Sequence, residues 1–113
     1  MRDQVHVFVY SGGPGGGVVH EKVRDDAVQG TLFDVEGIGH ALMLSGRAAI
    51  GGEVRRVAVS AVADIDDRAR VREGLYRRVG VRVGETPCWA WVAGPSLAPR
   101  LASGRRARGG ESS

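Results

Sequence analysis

This sequence has one cysteine, one lysine and no long apolar run. The first of these shortages excludes an internal disulfide and the last excludes a membrane-spanning helix. The 113 residues contain one cysteine, Cys88, so no disulfide can form within the chain and a reducing cytoplasm is the expected location. Lys22 is the one lysine among 16 basic residues, a bias that indicates a GC-rich genome rather than a particular chemistry. No apolar run approaches the roughly 18 residues of a membrane span. The first residues also lack the pattern of a signal peptide.

Motifs for metals, phosphates and nucleic acids are also missing. The three histidines, His6, His20 and His40, have no metal-ligand spacing, and there is no cysteine pair, so we predict no metal site. The run GGPGGG matches neither phosphate-binding glycine pattern, and we predict no cofactor. The net charge of +3 comes largely from arginines after residue 98, where stacking aromatics are absent. We therefore expect a small-molecule substrate, and neither a nucleic acid nor a membrane as partner.

Short β-rich segments separated by glycines predict a mostly β domain with one main helix. Alternating or apolar runs predict strands over 4–10, 27–34, 41–44, 51–59, 75–83 and 88–94. The last two would form a hairpin through the four-residue loop 84–87. Residues 14–26, glycine-rich and then charged, are predicted to be a loop with at most a short helix.

The convincing helix is SAVADIDDRAR, residues 60–70. Its apolar residues Ala61, Ile65 and Ala69 fall on one face, and Ser60 can cap its beginning. The predicted fold is thus α+β, a small curved mixed sheet or β-barrel with one main helix, formed by residues 1–98. Residues 99–113 are predicted to be a disordered basic tail rich in Gly, Ser and Arg.

Four segments occur in an order and at spacings that together indicate a family: VFVYSGG (7–13), VQGTLFDV (28–35), GGEVRRV (51–57) and GLYRRVGVRV with CWAWVAG (74–94). Together they resemble the gamma-glutamylcyclotransferase-like family, over residues 5 to about 98. The resemblance implies a polar cavity in which a substrate's α-amino group attacks its own γ-carbonyl, releasing 5-oxoproline and an amine. It also implies that a glycine-rich turn after the first strand holds the substrate, and that a helix glutamate moves the proton.

The sequence departs from the family pattern at both places. The turn is Tyr10-Ser11-Gly12-Gly13 where the family has Tyr-Gly-Thr/Ser-Leu, and the resemblance makes these four residues candidates for substrate binding. The helix reads Ile-Asp-Asp-Arg-Ala where the family has Leu-Asp-x-x-Glu, so Ala69 occupies the position of the catalytic glutamate. Alanine cannot transfer a proton, and we expect that the family reaction does not follow the family route here.

Other residues are candidates for the missing catalytic role. Glu73 lies four residues after Ala69, and its alternative is a solvated loop glutamate. His40, in a segment that also contains Glu36, could act as an acid or base near neutral pH, and its alternative is a loop histidine bonded to backbone or water. The resemblance places Tyr76 and Tyr10 at one end of the barrel, where their hydroxyls could orient a substrate.

Three further residues are candidates for substrate binding. Glu53 matches the Gly-Glu position of the family, where a structural carboxylate is the alternative. Trp89 and Trp91 share one face of the last strand, and either pack in the core or line the cavity. Three functions stay open. The first is a diverged enzyme cleaving a γ-glutamyl or related amide, for which the GC-rich composition suits a role in antibiotic biosynthesis. The second is a cofactor-free cyclase, isomerase or lyase acting in the same cavity, and the third is a catalytically silent binding module.

Overall fold

The computed structural model describes residues 3–15, 21–35 and 37–102. The elements are β1 (Gln4–Tyr10), β2 (Glu21–Val35), β3 (Gly39–Ala58), α1 (Val59–Arg68), β4 (Tyr76–Val83), β5 (Thr86–Ala93) and α2 (Ala98–Ala102). The strands form one sheet in the order β2-β3-β1-β5-β4. The β1–β5 pair is parallel and the other pairs are antiparallel. The predicted mixed α+β fold is confirmed, and the sheet is open rather than closed into a barrel.

Strands β2 and β3 are longer than the sequence pattern predicted. Residues 21–26, predicted as a loop, are the first part of β2, and the strands predicted over 41–44 and 51–59 belong to the single 20-residue strand β3. The charged residues of this ribbon pair across it, as Arg56 does with Glu21 at 3.2 Å. The charged residues that were predicted to lie in a solvated loop therefore form ion pairs with residues of the neighbouring strand.

The helix and the last hairpin begin differently from the prediction. Strand β3 continues directly into α1 at Val59, whose backbone N–H donates to the Asp3 carbonyl at 3.1 Å, so Ser60 is not the cap. The β4–β5 turn has two residues rather than four, because Val83 pairs with Thr86. Gly84 has φ +63°, the left-handed backbone that two-residue hairpin turns require.

The core lies on both faces of the sheet. In β1, Val7 and Val9 face α1 and α2, whereas Phe8 and Tyr10 belong to the apolar cluster on the other face. Helix α2 begins at residue 98, the predicted end of the domain, and continues past it, and its Leu101 is buried against the α1 side. The rest of the predicted tail, residues 103–113, lies outside the described residues. No helix in the described ranges is long and apolar enough to cross a membrane.

A candidate ligand pocket at the glycine turn

The turn after β1 is tight and is held against the beginning of β3. The Gly13 N–H donates to the Tyr10 carbonyl at 3.0 Å, and Gly12 has φ +80°, as at the third position of a type II turn. The His40 N–H donates to the Gly12 carbonyl at 2.9 Å, and the His40 Nδ1–H donates to the Ser11 carbonyl at 2.9 Å. The N–H groups of Ser11 and Gly12 donate to no backbone carbonyl in the turns and loops of the described residues.

Glycine at the third position of this turn is also a packing requirement. A Cβ on Gly12 would collide with His40 Nδ1, and one on Gly13 would collide with the Tyr10 ring. The sequence Tyr-Ser-Gly-Gly is therefore dictated in part by the histidine and tyrosine rings that hold the turn in place.

A pocket of about 280 Å³ opens beside this turn. Four segments line it: residues 12–14 of the turn, residues 37–38 before β3, residues 68–70 at the end of α1, and Leu75 with Tyr76 at the beginning of β4. Its volume lies just below the range of about 300–1,000 Å³ for small-molecule sites. The turn and Ala69, the two places at which the sequence departs from the family pattern, therefore line a single pocket.

Arginines flank Ala69 in the pocket wall. Helix α1 ends in a Schellman motif, in which the Arg70 N–H donates to the Asp67 carbonyl and the Val71 N–H donates to the Asp66 carbonyl, each at 3.1 Å. Arg70 takes the left-handed position of this motif, with φ +53°. Arg68 and Arg70 both line the pocket, and none of its described lining residues carries a carboxylate.

Comparison with solved structures identifies the architecture. No protein-family model and no curated protein matches the chain. An uncharacterized protein from Pyrococcus horikoshii matches with a TM-score of 0.70 and 19% identity, covering 95% of this chain and 88% of that one. An aig2-like protein from Mus musculus matches with a TM-score of 0.73 and 16% identity, covering 96% and 88%. A gamma-glutamyl cyclotransferase matches with a TM-score of 0.62 and 15% identity, covering 80% and 67%. The chain has the gamma-glutamylcyclotransferase-like fold.

Within this gamma-glutamylcyclotransferase-like fold, the three predicted catalytic residues lie at different depths. Tyr76 lines the pocket, its hydroxyl donates to the His40 carbonyl at 2.8 Å, and burial raises the pKa of its phenol. His40 packs against the turn and is not among the lining residues. Glu73 lies outside the pocket, with its carboxylate exposed and 3.7 Å from Arg70 Nε. Glu36, beside Gly37 of the pocket wall, lies outside the described residues.

Most of the predicted substrate-binding side chains make contacts inside the fold instead. Tyr10 is 1% exposed, and its hydroxyl donates to the Trp91 carbonyl at 2.7 Å and accepts from the Leu42 N–H at 3.2 Å. Trp91 is also 1% exposed, and its Nε1–H donates to Asp66 Oδ1 at 2.8 Å. Glu53 is paired with Arg55 at 2.8 Å. The structure therefore brings Gly12 and Gly13 to the pocket, leaves Ser11 outside its lining, and places Tyr10 and Trp91 in the core.

Trp89 lines a different and more apolar pocket. This second pocket, of about 440 Å³, lies toward the beginnings of β1 and β5, where Val5, His6, Pro87 and Cys88 join Trp89 in its wall. Burial raises the pKa of the Cys88 thiol and so disfavours its reactive thiolate. The lining of this second pocket shares no residue with the lining of the turn pocket. The two tryptophans therefore do not line the pocket at the glycine turn.

Sequence reasoning missed Arg68 and Arg70 as pocket residues. The signal was present, because both flank Ala69 in the segment that resembles the Leu-Asp-x-x-Glu motif. Among the described residues, no group of three or more His, Cys, Asp or Glu side chains could hold a metal ion.

The buried tyrosines predict an alkaline limit to stability. Burial raises the pKa of Tyr10 and of Tyr76 above the usual value of about 10. Because the folded state favours the protonated phenols, this stabilisation is complete below about pH 10 and is lost as the pH rises through the folded-state pKa values. We expect the free energy of unfolding, measured with urea, to fall above about pH 10. The fall should be shallower in Tyr10→Phe, and an equal slope in both proteins would contradict this assignment.

Proposed function

We propose that this chain binds a γ-glutamyl or related amide in the turn pocket and is a diverged gamma-glutamylcyclotransferase-like enzyme. One observation carries the proposal: Gly12, Gly13 and Ala69 line the same pocket. The resemblance assigns the turn to substrate binding and the position of Ala69 to proton transfer. The volume of about 280 Å³ suits a compact acyl group with a small amine.

The reaction would form one bond and break another at the γ-carbonyl carbon of the substrate. The substrate's α-amino nitrogen attacks this carbon and closes a five-membered ring, the amide C–N bond breaks, and a proton passes from the attacking to the leaving nitrogen. Negative charge develops on the carbonyl oxygen. The N–H group of Gly12, which lines the pocket, is the donor proposed to stabilise it, together with the Ser11 N–H beside it in the same turn, since positioned backbone donors are effective where charge develops.

Proton transfer is the step that Ala69 leaves without its family residue. Tyr76 is the described lining side chain that can both accept and donate a proton, since the guanidinium groups of Arg68 and Arg70 only donate. Its hydroxyl donates to the His40 carbonyl at 2.8 Å in this structure. In the proposed relay, a lone pair of the hydroxyl accepts the proton from the attacking nitrogen while the hydroxyl's own proton turns away from the His40 carbonyl and passes to the leaving nitrogen. We assign Tyr76 the relay and His40 the positioning of both Tyr76 and the turn.

A silent binding module is the second candidate, and Ala69 itself favours it. Such a module would hold the same amide in the same pocket without cleaving it. A cytoplasmic location and a role in natural-product biosynthesis are parts of the proposal that rest on the single cysteine and the GC-rich composition. The aromatic-walled cavity that a cofactor-free cyclase would need is not formed by the described residues of the turn pocket.

The test is 5-oxoproline release from a panel of γ-glutamyl amines, with binding measured separately by calorimetry. We expect the wild type to release 5-oxoproline, and Tyr76→Phe to lower kcat by at least about tenfold with little change in Kd, as loss of a proton-transfer group does. Glu85→Gln, at the β4–β5 turn, removes a carboxylate away from the pocket and is the control for the variants Glu73→Gln and Glu36→Gln.

The remaining outcomes separate the alternatives. Loss of release in Glu73→Gln would establish a relocated base, and loss in Glu36→Gln would assign that role to a residue outside the described ranges. Binding without release in the wild type would establish the silent module. No binding and no release with any γ-glutamyl amine would overturn the proposed substrate class.

A further inference from the structure

The second pocket lies where strands β1 and β5 separate. Within the described chain, these two parallel strands pair at Val7 and Trp89 alone. Before that pair, β1 stays paired with β3 and β5 stays paired with β4, so the beginnings of β1 and β5 are not joined to each other. The pocket of about 440 Å³ is lined by these beginnings and by Gly80 of β4, and its volume falls in the range of about 300–1,000 Å³ for small-molecule sites.

The indole of Trp89 is held in this wall by a side chain outside the pocket. The Arg78 guanidinium lies 4.5 Å from the ring centre, and Arg78 Nε lies 3.4 Å from Asp66 Oδ1 of α1. Because Arg78 does not line the pocket, the surface that the indole presents there is not the surface that Arg78 covers. The ring is therefore a flat apolar wall that is already in place before a ligand binds.

Gly80 leaves the space beside this ring open. It is the cross-strand partner of Trp89, and the register of β4 with β5 has no bulge. Gly80 has no positive φ, and a Cβ there would meet only Trp89 Cζ3, at the ordinary contact distance of 4.0 Å. Neither the backbone nor the packing of the described residues requires a glycine here. Glycine inside a strand often marks a place that a ligand approaches closely.

We propose that the second pocket binds a small planar aromatic molecule, whose ring stacks on the Trp89 indole in the space that Gly80 leaves open. Aromatic pairs are favoured beyond the apolar area that they bury, which distinguishes such a ligand from an aliphatic one. Val5 and Pro87 add apolar contacts, and the ring nitrogens of His6 can bond a polar substituent. This site does not depend on the proposed function, because its lining shares no residue with the turn pocket.

The test compares 2-naphthol with its saturated counterpart, decahydro-2-naphthol, each titrated into the ¹⁵N-labelled full chain and followed by NMR. Both carry one hydroxyl on a skeleton of two rings, and only 2-naphthol is planar. We expect 2-naphthol to bind at least about threefold more tightly, with the largest shifts at Val5, His6, Cys88 and the Trp89 indole. Equal affinities, no binding of 2-naphthol, or shifts confined to the turn pocket overturn the proposal.

Variants of Gly80 separate ligand binding from folding. Gly80→Ala fits the existing backbone and packing, so it should unfold at the same or a higher temperature while binding 2-naphthol more weakly. Gly80→Val fills more of the space and should weaken binding by at least about fivefold. Arg77→Val is the matched control, because it adds the same side chain to β4 at an exposed position outside the pocket, and it should bind like the wild type. A folded Gly80→Val with unchanged affinity overturns the site.

Variants of Trp89 test the stacking itself. Trp89→Phe retains an aromatic ring and should keep the preference for 2-naphthol over the saturated alcohol, whereas Trp89→Leu should lose it. An equal preference in both variants overturns stacking on this residue.

Sedimentation distinguishes a small ligand from a second copy of the chain as the occupant. We expect the wild type and Gly80→Val to have the same oligomeric state at the concentrations used for titration. A wild-type dimer that Gly80→Val dissociates overturns the proposal, because a second copy then fills the pocket.

Discussion

Replacing Ala69 by glutamate is expected to raise 5-oxoproline release from γ-glutamyl amines by about 10²–10⁴-fold, the usual contribution of a positioned proton-transfer group. Ala69 is 1% exposed and lines the pocket together with Gly12 and Gly13. A carboxylate at this position would face the turn that holds the substrate. The neighbouring guanidinium groups of Arg68 and Arg70 would keep it ionised and able to accept a proton. Steady-state kinetics with those γ-glutamyl amines that bind the wild type measures the gain in kcat.

Two controls make the Ala69→Glu result specific. Ala69→Gln has nearly the same shape without the ability to accept the proton, so it should show no gain. Ala63→Glu adds the same charge on the exposed side of α1 and should behave like the wild type. If Ala69→Glu is folded and still binds the amide but shows no gain, then the turn pocket does not hold the substrate in the orientation that the family reaction needs.

Replacing Trp91 by alanine is expected to lower the free energy of unfolding by about 3–5 kcal/mol. The indole is 1% exposed among side chains of β1, α1 and α2, and its N–H donates to Asp66 of the helix at 2.8 Å. Removing it leaves a cavity between sheet and helix. Since small domains are typically stable by about 5–15 kcal/mol, the variant would retain a fraction of its stability. Urea unfolding followed by circular dichroism avoids the change in fluorescence.

Trp89→Ala is the matched control for Trp91→Ala. Trp89 is partly exposed and has the Arg78 guanidinium 4.5 Å from its ring centre, a contact worth about 0.5–1 kcal/mol at an exposed site. We expect a much smaller loss of stability, and no change in amide affinity, because Trp89 lines the other pocket. Equal losses in the two variants would contradict the core assignment of Trp91.

Features with a strong local pattern were predictable from the sequence. Alternation identified β1 and the β4–β5 pair, the spacing of Ile65 and its neighbours identified α1, and the order of four segments identified the fold. The beginning of β2 was not predictable, because Glu21 and its charged neighbours become a strand only through partners in β3. A sequence pattern shows no such partner.

The candidate site was predictable in its position and less so in its membership. The resemblance located the turn and Ala69, and the structure brings both to one pocket. Period-two patterning showed that Trp89 and Trp91 share a face, but not which cavity or core that face meets, since this depends on α1. Tyr10 lies beside the turn in sequence, yet its hydroxyl is taken by Trp91 and Leu42 inside the core.

The location of ligand binding is best measured by NMR. A ¹⁵N-labelled sample titrated with γ-glutamyl-β-alanine should show its largest amide shifts at Gly12, Gly13, Ala69 and Tyr76, the turn and helix sides of the pocket. Shifts confined to Val5, His6, Cys88 and Trp89 would place the ligand in the second pocket and contradict the assignment of the glycine turn as the binding site.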